Sequence, residues 1–145
     1  MVSLALLVDS SPRLRALAKL LQELYGSDPA HGWPHIARVM RWAERIVEAE
    51  GLDVDLEVLA LSVMLHDIGR LSSGVEHHAV ESARVADYVL ELLGYDRSVR
   101  EAVKHAILAH SYSLGYKAET LEAMVLSDAD KLDALGAIGI ARVFH

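Results

Sequence analysis

Two adjacent ionisable residues, His66 and Asp67, end the most hydrophobic stretch of the chain. A carboxylate buried there without a partner would cost several kcal/mol, so Asp67 requires a cation, a metal ion or several hydrogen-bond donors. Adjacent side chains on a regular helix diverge by about 100°, so two of them can hold one ion only near a helix end. Gly69 provides such an end. The His-Asp pair is therefore the first candidate metal-binding element.

Further candidate ligands interrupt two other apolar segments. His35 follows Pro34 in the first turn of a predicted helix and shares one side of it with Val39. An acidic segment, DADKLD, occupies residues 128–133 within a late apolar stretch. Imidazole nitrogens mixed with carboxylate oxygens suit Mn²⁺, Fe²⁺, Co²⁺, Ni²⁺ or Mg²⁺ better than a closed structural zinc site. An ion with open positions binds a phosphate oxygen and lowers the pKa of a bound water.

Each of these residues also has an ordinary structural interpretation. Any one of the eight histidines is more often an interface or surface residue than a ligand. The carboxylates of Asp128, Asp130 and Asp133 are compatible with a helix cap and a solvated face. The joint pattern is more informative than its parts: a histidine at a helix start, a His-Asp pair ending a buried helix, and an aspartate in a late apolar helix.

The elements that position these residues are predicted to be helices. Helical periodicity recurs along the chain, whereas no run of β-branched or aromatic residues alternates with polar ones. The predicted helices run from Ser11-Pro12 to Gly26, from Pro34 to Glu50, from Asp53 or Asp55 to His66, from about His78 to Leu93, from Asp96 or Ser98 to His110, and from about Thr120 to Phe144 with weak points at Gly136 and Gly139. The sequence therefore predicts an all-α fold, a single compact bundle of about six helices over residues 1–145.

Composition excludes several classes of function. The 145 residues are 52% hydrophobic and contain no cysteine, which excludes a disulfide scaffold, a thiolate nucleophile and a cysteine zinc site. The net charge of −7 argues against a duplex nucleic acid or an anionic membrane as partner. The start, MVSLALLVD, lacks a basic segment and is interrupted by Asp9, so neither a signal peptide nor a membrane span is predicted. A cytoplasmic location is expected.

The amide content adds one weaker expectation. The chain has no asparagine and one glutamine, and arginine outnumbers lysine. Loss of thermolabile amides is typical of thermophilic proteins, although a GC-rich genome produces the same bias.

Three segments together resemble the HD-domain metal-dependent phosphohydrolase superfamily. They are His35-x-x-Arg38-Val39, then LHDIGR over residues 65–70, then DADKLDA over residues 128–134. The resemblance implies an HD-type helical fold in which His35, His66, Asp67 and Asp130 bind one divalent metal. Asp130 is chosen over Asp128 because the family's last aspartate has an Ala-Asp-Lys/Arg-Leu context. Asp128 is then a candidate for orienting a histidine or a water.

The sequence is most similar to a bacterial and archaeal subgroup of small predicted hydrolases within that superfamily. The similarity extends to Glu81-Ser82-Ala83, to His110-Ser111 and to a glycine-rich tail over residues 136–142, although Glu81 directly precedes Ser82 and the subgroup spacing has one residue between them. Members of the subgroup usually continue past this tail, whereas the sequence ends at His145. A further segment in those relatives is expected to close the pocket or to form a dimer contact.

The resemblance implies hydrolysis of a small phosphorylated substrate, most plausibly a nucleotide, by a metal-activated water. Arg70 and Lys131 are the cations placed to neutralise phosphate charge, with surface salt bridges as the alternative interpretation. His110 is a candidate for contacting substrate or protonating the leaving group, and Asp128 or Glu81 for accepting a proton from the attacking water. Asp67 acts in this scheme as both ligand and catalytic residue.

Three alternatives differ in class. One is a catalytically silent metal-binding module that acts through protein contacts. Another is a dinuclear-iron oxygenase, which requires further ligands from His77 or His78 and from His105 or His110. The third is a helical bundle without metal. One metal per chain is favoured, and a homodimer is possible because leucines of the first predicted helix can pack either on the domain or on a second copy.

Overall fold

Helices are the regular secondary structure of the described part of the chain. The computed structural model describes residues 2–72 and 77–143, and these form seven α-helices, two short 3-10 turns and no β-strand. The helices are α1 (Leu4–Ser10), α2 (Pro12–Tyr25), α3 (Trp33–Glu50), α4 (Leu56–Leu65), α5 (His78–Leu92), α6 (Arg97–His110) and α7 (Leu121–Val143). The 3-10 turns are Ile68–Leu71, after α4, and Tyr112–Leu114, after α6. The predicted all-α class is confirmed, with one helix more than expected.

Side-chain caps determine where three of the helices begin. The side-chain oxygens of Ser11, Asp55 and Asp96 each accept a hydrogen bond from the backbone N–H three residues later, at the starts of α2, α4 and α6. Of the two alternatives left open for α4 and for α6, the cap is therefore Asp55 rather than Asp53, and Asp96 rather than Ser98.

The glycines of the last helix do not interrupt it. The sequence predicts weak points at Gly136 and Gly139, but α7 continues through both to Val143. A helix of this length, packed against α3, α4 and α6, has enough tertiary contact to offset the cost of about 1 kcal/mol that an interior glycine adds. Phe144, where the sequence places the end of this helix, lies outside the described residues.

The additional helix, α1, is fastened by a carboxylate from another helix. Glu44 on α3 accepts hydrogen bonds from the backbone N–H groups of Leu4 (2.8 Å) and Ala5 (3.2 Å), which are free donors of the first turn. The side chain of Ser3 caps the same turn. Sequence periodicity did not predict α1 because seven residues make fewer than two turns, and so short a helix depends on tertiary contacts.

Helix α4 lies at the centre of the fold. Every residue from Val58 to Leu65 is buried, and the helix packs against α1, α2, α3, α5, α6 and α7. A helix that is apolar on all sides must be surrounded by others, as the sequence predicted. Its last turn therefore delivers His66 and Asp67 to the interior of the protein rather than to its surface.

Helix α2 packs on the domain itself. Leu14, Leu17 and Leu21 are buried in the hydrophobic core. Of the two placements left open by the sequence, these leucines therefore pack on their own chain. In the described ranges, no helix combines the length and the hydropathy that crossing a membrane requires.

A buried tyrosine joins α2 to the end of α4. The Tyr25 hydroxyl donates a hydrogen bond to the Met64 carbonyl over 2.8 Å. Burial raises the pKa of Tyr25 well above its usual value, and the negative charge of Asp67 raises it further. The phenol is therefore neutral at all ordinary pH values and retains its donor.

We expect Tyr25→Phe to lower the free energy of unfolding by about 1–2 kcal/mol, because it removes this hydrogen bond and leaves a buried carbonyl with one partner fewer. Urea unfolding followed by circular dichroism measures the change. Tyr88→Phe, at an exposed tyrosine, is the control. Equal stabilities of the two variants would contradict the assignment.

Candidate metal centre

His35 enters the centre from the first turn of α3. Pro34 directly precedes it and favours a helix start. The side chain is buried, and its Nε2 atom lies 3.2 Å from Asp67 Oδ2 and 3.4 Å from Asp130 Oδ1. Two carboxylates, one from the end of α4 and one from α7, therefore meet at an imidazole nitrogen of α3.

His66 presents a nitrogen that has no hydrogen-bond partner. The residue is completely buried at the end of α4, and its Nδ1 donates to the Val63 carbonyl over 2.6 Å. In the neutral ring, that bond fixes the proton on Nδ1 and leaves the lone pair on Nε2. Burial opposes a charge on His66, but Asp67 and Asp130 outweigh it and raise the pKa of His66, which favours the charged ring when no ion is bound. Nε2 lies 3.6 Å from Asp130 Oδ1 and 3.7 Å from Asp67 Oδ2, too far for hydrogen bonds, and no other described residue satisfies it.

These donors fit one divalent ion. The four nitrogen–carboxylate distances of 3.2–3.7 Å are close to the separation of about 3.0–3.4 Å between atoms that ligate a common ion at about 2.1 Å. Single ligand atoms of His35, His66 and Asp130 all lie within 4.8 Å of one another. A buried imidazole nitrogen without a partner costs free energy, and an ion bound to it removes that cost.

Electrostatics couple the same residues strongly. Burial opposes a charge on His35, but hydrogen bonds with Asp130, Asp67 and Asp133 outweigh it and raise the pKa of His35 to about 10. Burial also opposes charge on the two ligand carboxylates, yet His66 acting on Asp67, and His35 acting on Asp130, keep each pKa well below its usual range. In the metal-free centre, a proton on His35 thus balances part of the negative charge.

Asp133 holds the His35 ring through Nδ1, the nitrogen that does not face the other predicted ligands. Its Oδ2 accepts the Nδ1 proton of His35 over 2.8 Å, and its Oδ1 accepts from Arg38 Nε over 2.7 Å. Arg38 also donates to the Pro29 carbonyl. This arrangement leaves Nε2 of His35 as the metal-binding atom and fixes the plane of the ring. Arg38 thus pairs with the carboxylate of Asp133.

The sequence interpretation did not select Asp133, and assigned the orienting role to Asp128. The usable signal was spacing: Asp133 follows Asp130 by three residues on a helix, and Arg38 follows His35 by three, so each pair shares a face. Asp128 is two residues before Asp130 and lies on another side of α7, where it lines two cavities next to Lys131.

We expect Asp133→Ala to weaken Co²⁺ binding about 10–100-fold, the usual cost of removing a carboxylate that orients a histidine ligand. Isothermal titration calorimetry on metal-free protein measures it. Asp133→Asn keeps an acceptor for His35 but loses the charge facing Arg38. Its affinity for Co²⁺ is expected to lie between those of wild type and Asp133→Ala. Asp53→Ala, at an exposed carboxylate, serves as the control. An Asp133→Ala variant with unchanged affinity would exclude the orienting role.

Gly69 allows the turn after Asp67 to lie directly on α5. Its backbone N–H donates to Ser82 Oγ over 2.7 Å, and a Cβ atom at this position would lie 2.3 Å from the carbonyl oxygen of His78. The Ser82 segment singled out in the sequence therefore anchors the turn. The same turn positions Arg70, whose Nε lies 3.4 Å from Asp67 Oδ1.

A cavity of about 430 Å³ opens from the donor atoms to the surface. Three of the predicted ligands, His35, Asp67 and Asp130, line it, whereas His66 is completely buried beside them. The cavity wall also includes the five side chains His31, Arg38, Arg70, His78 and His110. The two guanidinium groups of Arg38 and Arg70 give this cavity positive charge outside the ligand set. The geometry therefore combines a site for a cation with side chains suited to an anion.

The remaining predicted catalytic residues divide between this cavity and other places. His110 lines it, and its Nδ1 donates to the Ile107 carbonyl. Burial, together with the charge of His66, lowers the pKa of His110 to about 4, so its Nε2 carries a lone pair at neutral pH. Glu81 is bound by Arg84 over 2.6 Å and is not among the described residues that line the cavity. Asp128 and Lys131 line the neighbouring cavities.

A dinuclear centre requires one further histidine from each of two pairs, and one member of each pair lines the metal cavity. His77 is held by Ser113 and by its own helix start, and His105 accepts a hydrogen bond from the backbone N–H of Glu119. His78 and His110 line the metal cavity, and His110 forms a second possible ligand group with His66 and Asp67. Because both groups share His66, they describe overlapping positions for an ion.

This fold and this donor set define a class of proteins. The model of the family described as HD domain matches residues 32–135, a range that contains all four predicted ligands. The chain belongs to the HD domain family.

Two other proteins are similar to this chain. A crystal structure described as a predicted HD superfamily hydrolase, from an uncultured Thermotogales bacterium, superposes with a TM-score of 0.78 at 36% identity and covers 99% of this chain and 80% of its own. The protein YpgQ of Bacillus subtilis (strain 168), described as uncharacterized, is 31% identical over 120 residues, which are 79% of this chain. The match spans 56% of the length of YpgQ.

Proposed function

We propose that the protein is a divalent-metal-dependent phosphohydrolase that acts on a small phosphorylated substrate, a nucleotide. The observation that carries the proposal is the fully buried His66 Nε2, which lacks a hydrogen-bond partner and faces the carboxylates of Asp67 and Asp130. Both carboxylates and His35 line a cavity whose wall also includes two arginines. A hydrolase is also what the similar crystal structure is described to be, and family membership supports the same class.

One divalent ion is bound by four side chains in this proposal. His35, His66, Asp67 and Asp130 hold one ion, of which Mn²⁺, Fe²⁺, Co²⁺, Ni²⁺ and Mg²⁺ are the candidates. When bound, such an ion supplies Lewis acidity toward a phosphate oxygen and lowers the pKa of a water molecule. Hydrolysis then forms a bond between the water oxygen and phosphorus and breaks one P–O bond of the substrate.

The protein's own side chains bind and orient the phosphate. Arg70 is partly exposed at the cavity wall, and its contact of 3.4 Å with Asp67 keeps the guanidinium beside the ligand set. Arg38 lines the same cavity, but Asp133 and Pro29 already take three of its hydrogen bonds. Arg70 is therefore the principal phosphate-binding side chain, since preorganised cations stabilise the charge of a phosphoryl group during transfer.

His110 contacts the substrate in this proposal rather than protonating the leaving group. Its Nδ1 proton is committed to the Ile107 carbonyl and its pKa is about 4, so Nε2 accepts a hydrogen bond at neutral pH. The leaving oxygen takes its proton from solvent. Glu81 pairs with Arg84, and Asp128 and Lys131 line other cavities, so the proposal assigns no acid or base role to these residues.

Partners and location follow from composition in the same proposal. The net charge of −7 favours a small substrate over duplex nucleic acid or membrane. A cytoplasmic location, a thermophilic source and a homodimer stay predictions.

The experiment is a hydrolysis screen of metal-reconstituted protein. Protein loaded separately with each of the five candidate ions is incubated with nucleoside mono- and triphosphates, and released phosphate and pyrophosphate are quantified. We expect turnover with at least one transition metal. Release of pyrophosphate identifies cleavage of a triphosphate to a monophosphate, whereas release of phosphate from a monophosphate identifies a phosphatase.

Arg70→Ala tests the phosphate-binding role. We expect kcat/KM to fall about 100-fold, the typical cost of removing one charged group that stabilises the transition state. Arg15→Ala, at an exposed arginine of α2, is the matched control. No turnover of any phosphorylated compound by wild-type protein containing a stoichiometric ion would overturn the proposed function and leave the metal-binding module as the explanation.

A further inference from the structure

A second cavity lies beside the metal cavity and shares one wall residue with it. Its volume is about 640 Å³, within the range of ligand pockets. His110, at the end of α6, lines both cavities. Because His110 contributes to both walls, the two cavities are adjacent at this side chain.

Two tyrosines at the edge of the second cavity are largely uncovered. Tyr112 is 92% exposed and Tyr116 is 55% exposed, and both stand on the short connection between α6 and α7. Neither ring makes a side-chain hydrogen bond, a ring stack or a cation contact within the part of the chain that the structure describes. Aromatic rings beside a cavity offer flat surfaces on which planar ligands stack.

The opposite wall comes from a separate face of α7. Asp130 and Asp133 face the metal cavity, whereas Asp128 and Lys131, three residues apart, face the second one with Met124. The side chains of Asp128 and Lys131 form no ion pair or hydrogen bond with other described residues. The cavity thus provides an apolar surface, a free acceptor and a free donor, which match a ring that carries amino and carbonyl groups.

From this juxtaposition we infer that the second cavity is the nucleobase subsite of the substrate. The base stacks on Tyr112 and Tyr116, Asp128 and Lys131 hydrogen-bond its edge or the sugar hydroxyls, and the phosphate chain passes His110 to the metal centre. This inference rests on the proposed function for the phosphate chain, but the stacking surface itself does not require a metal. It assigns substrate selection to residues that do not contact the ligand set.

The test compares Tyr112→Ala and Tyr116→Ala with wild type in steady-state kinetics on nucleoside triphosphates. Loss of one stack is worth about 1–3 kcal/mol, so KM is expected to rise about fivefold to a hundredfold. Tyr112→Phe keeps the ring and is expected to keep the wild-type KM. Tyr88→Ala, at an exposed tyrosine of α5, controls for the loss of any surface tyrosine.

A second measurement separates this inference from the proposed function. Binding of unphosphorylated nucleosides to the protein is followed by saturation-transfer NMR in wild type and in the two alanine variants. Nucleoside binding that disappears in the variants supports the subsite, even if no phosphorylated compound is hydrolysed. Turnover with a KM that neither variant changes overturns the subsite and leaves the proposed function intact. Absence of nucleoside binding together with absence of turnover overturns both.

Discussion

Asp67→Ala and Asp130→Ala are each expected to purify with less than about one tenth of a divalent ion per chain, against about one for wild type. Each substitution removes a ligand oxygen that lies 3.2–3.7 Å from two imidazole nitrogens. Loss of a direct ligand exceeds the 10–100-fold weakening that follows loss of a supporting residue. Inductively coupled plasma mass spectrometry, on protein purified without added metal or chelator, measures the content.

Asp53→Ala removes a carboxylate from the surface and is expected to keep the wild-type metal content. Retention of a full ion by both ligand variants would exclude the centre. Two ions per wild-type chain would show that His78 or His110 joins a second position and would revive the dinuclear alternative.

Gly69→Ala is expected to destabilise the protein by about 2–4 kcal/mol and to weaken metal binding at the same time. The added Cβ would lie 2.3 Å from the His78 carbonyl oxygen and 2.7 Å from the Ser82 backbone nitrogen, and neither backbone atom can move without shifting α5. Overpacking of this kind costs about 1–3 kcal/mol, and loss of the hydrogen bond to Ser82 adds about 1 kcal/mol. Since Asp67 precedes the same turn, its carboxylate moves away from the imidazoles.

A second glycine provides a matched control, because its substitution is expected to change the stability in the opposite direction. Gly136 lies in α7, and a Cβ at that position would meet nothing within 4 Å. Gly136→Ala is therefore expected to stabilise the protein by about 0.5–1 kcal/mol through helix propensity alone. Chemical denaturation of both variants decides the matter, and a Gly69→Ala protein as stable as Gly136→Ala would show that the turn does not lie on α5 as described.

Much of the fold was predictable because its helices carry local signals. Ser11, Asp55 and Asp96 cap helices that the periodicity also predicts, and the uniformly apolar α4 could only be central. Helix α1 was not predictable in the same way, since its main fastening is Glu44, which is 40 residues away from Leu4 in sequence. A contact at that separation leaves no local pattern.

The proximity of the four predicted ligands could be expected for a different reason. Each lies in an apolar segment where a polar side chain needs a partner, and the resemblance to a family joined four separate positions into one site. The support of His35 by Asp133 was not assigned, because three aspartates share one segment and only the rotation of α7 decides which faces α3. The second cavity was not foreseen either, since its tyrosines belong to a connection without periodicity.

The separation of His35 and Asp133 along the chain, 98 residues, has a consequence for how the protein opens. An ion held from α3, from the end of α4 and from α7, as proposed, would close one of the longest loops that the chain can form, and it would bind only when the last helix is docked. At about 100 times its dissociation constant, such an ion adds about 2.7 kcal/mol to the stability of the docked state. Amide protons of α7 should then exchange with solvent roughly a hundredfold more slowly in metal-loaded protein if opening of this helix releases the ion. Metal supply would in this way control how long the C-terminal helix remains protected from proteases as well as whether the site can function.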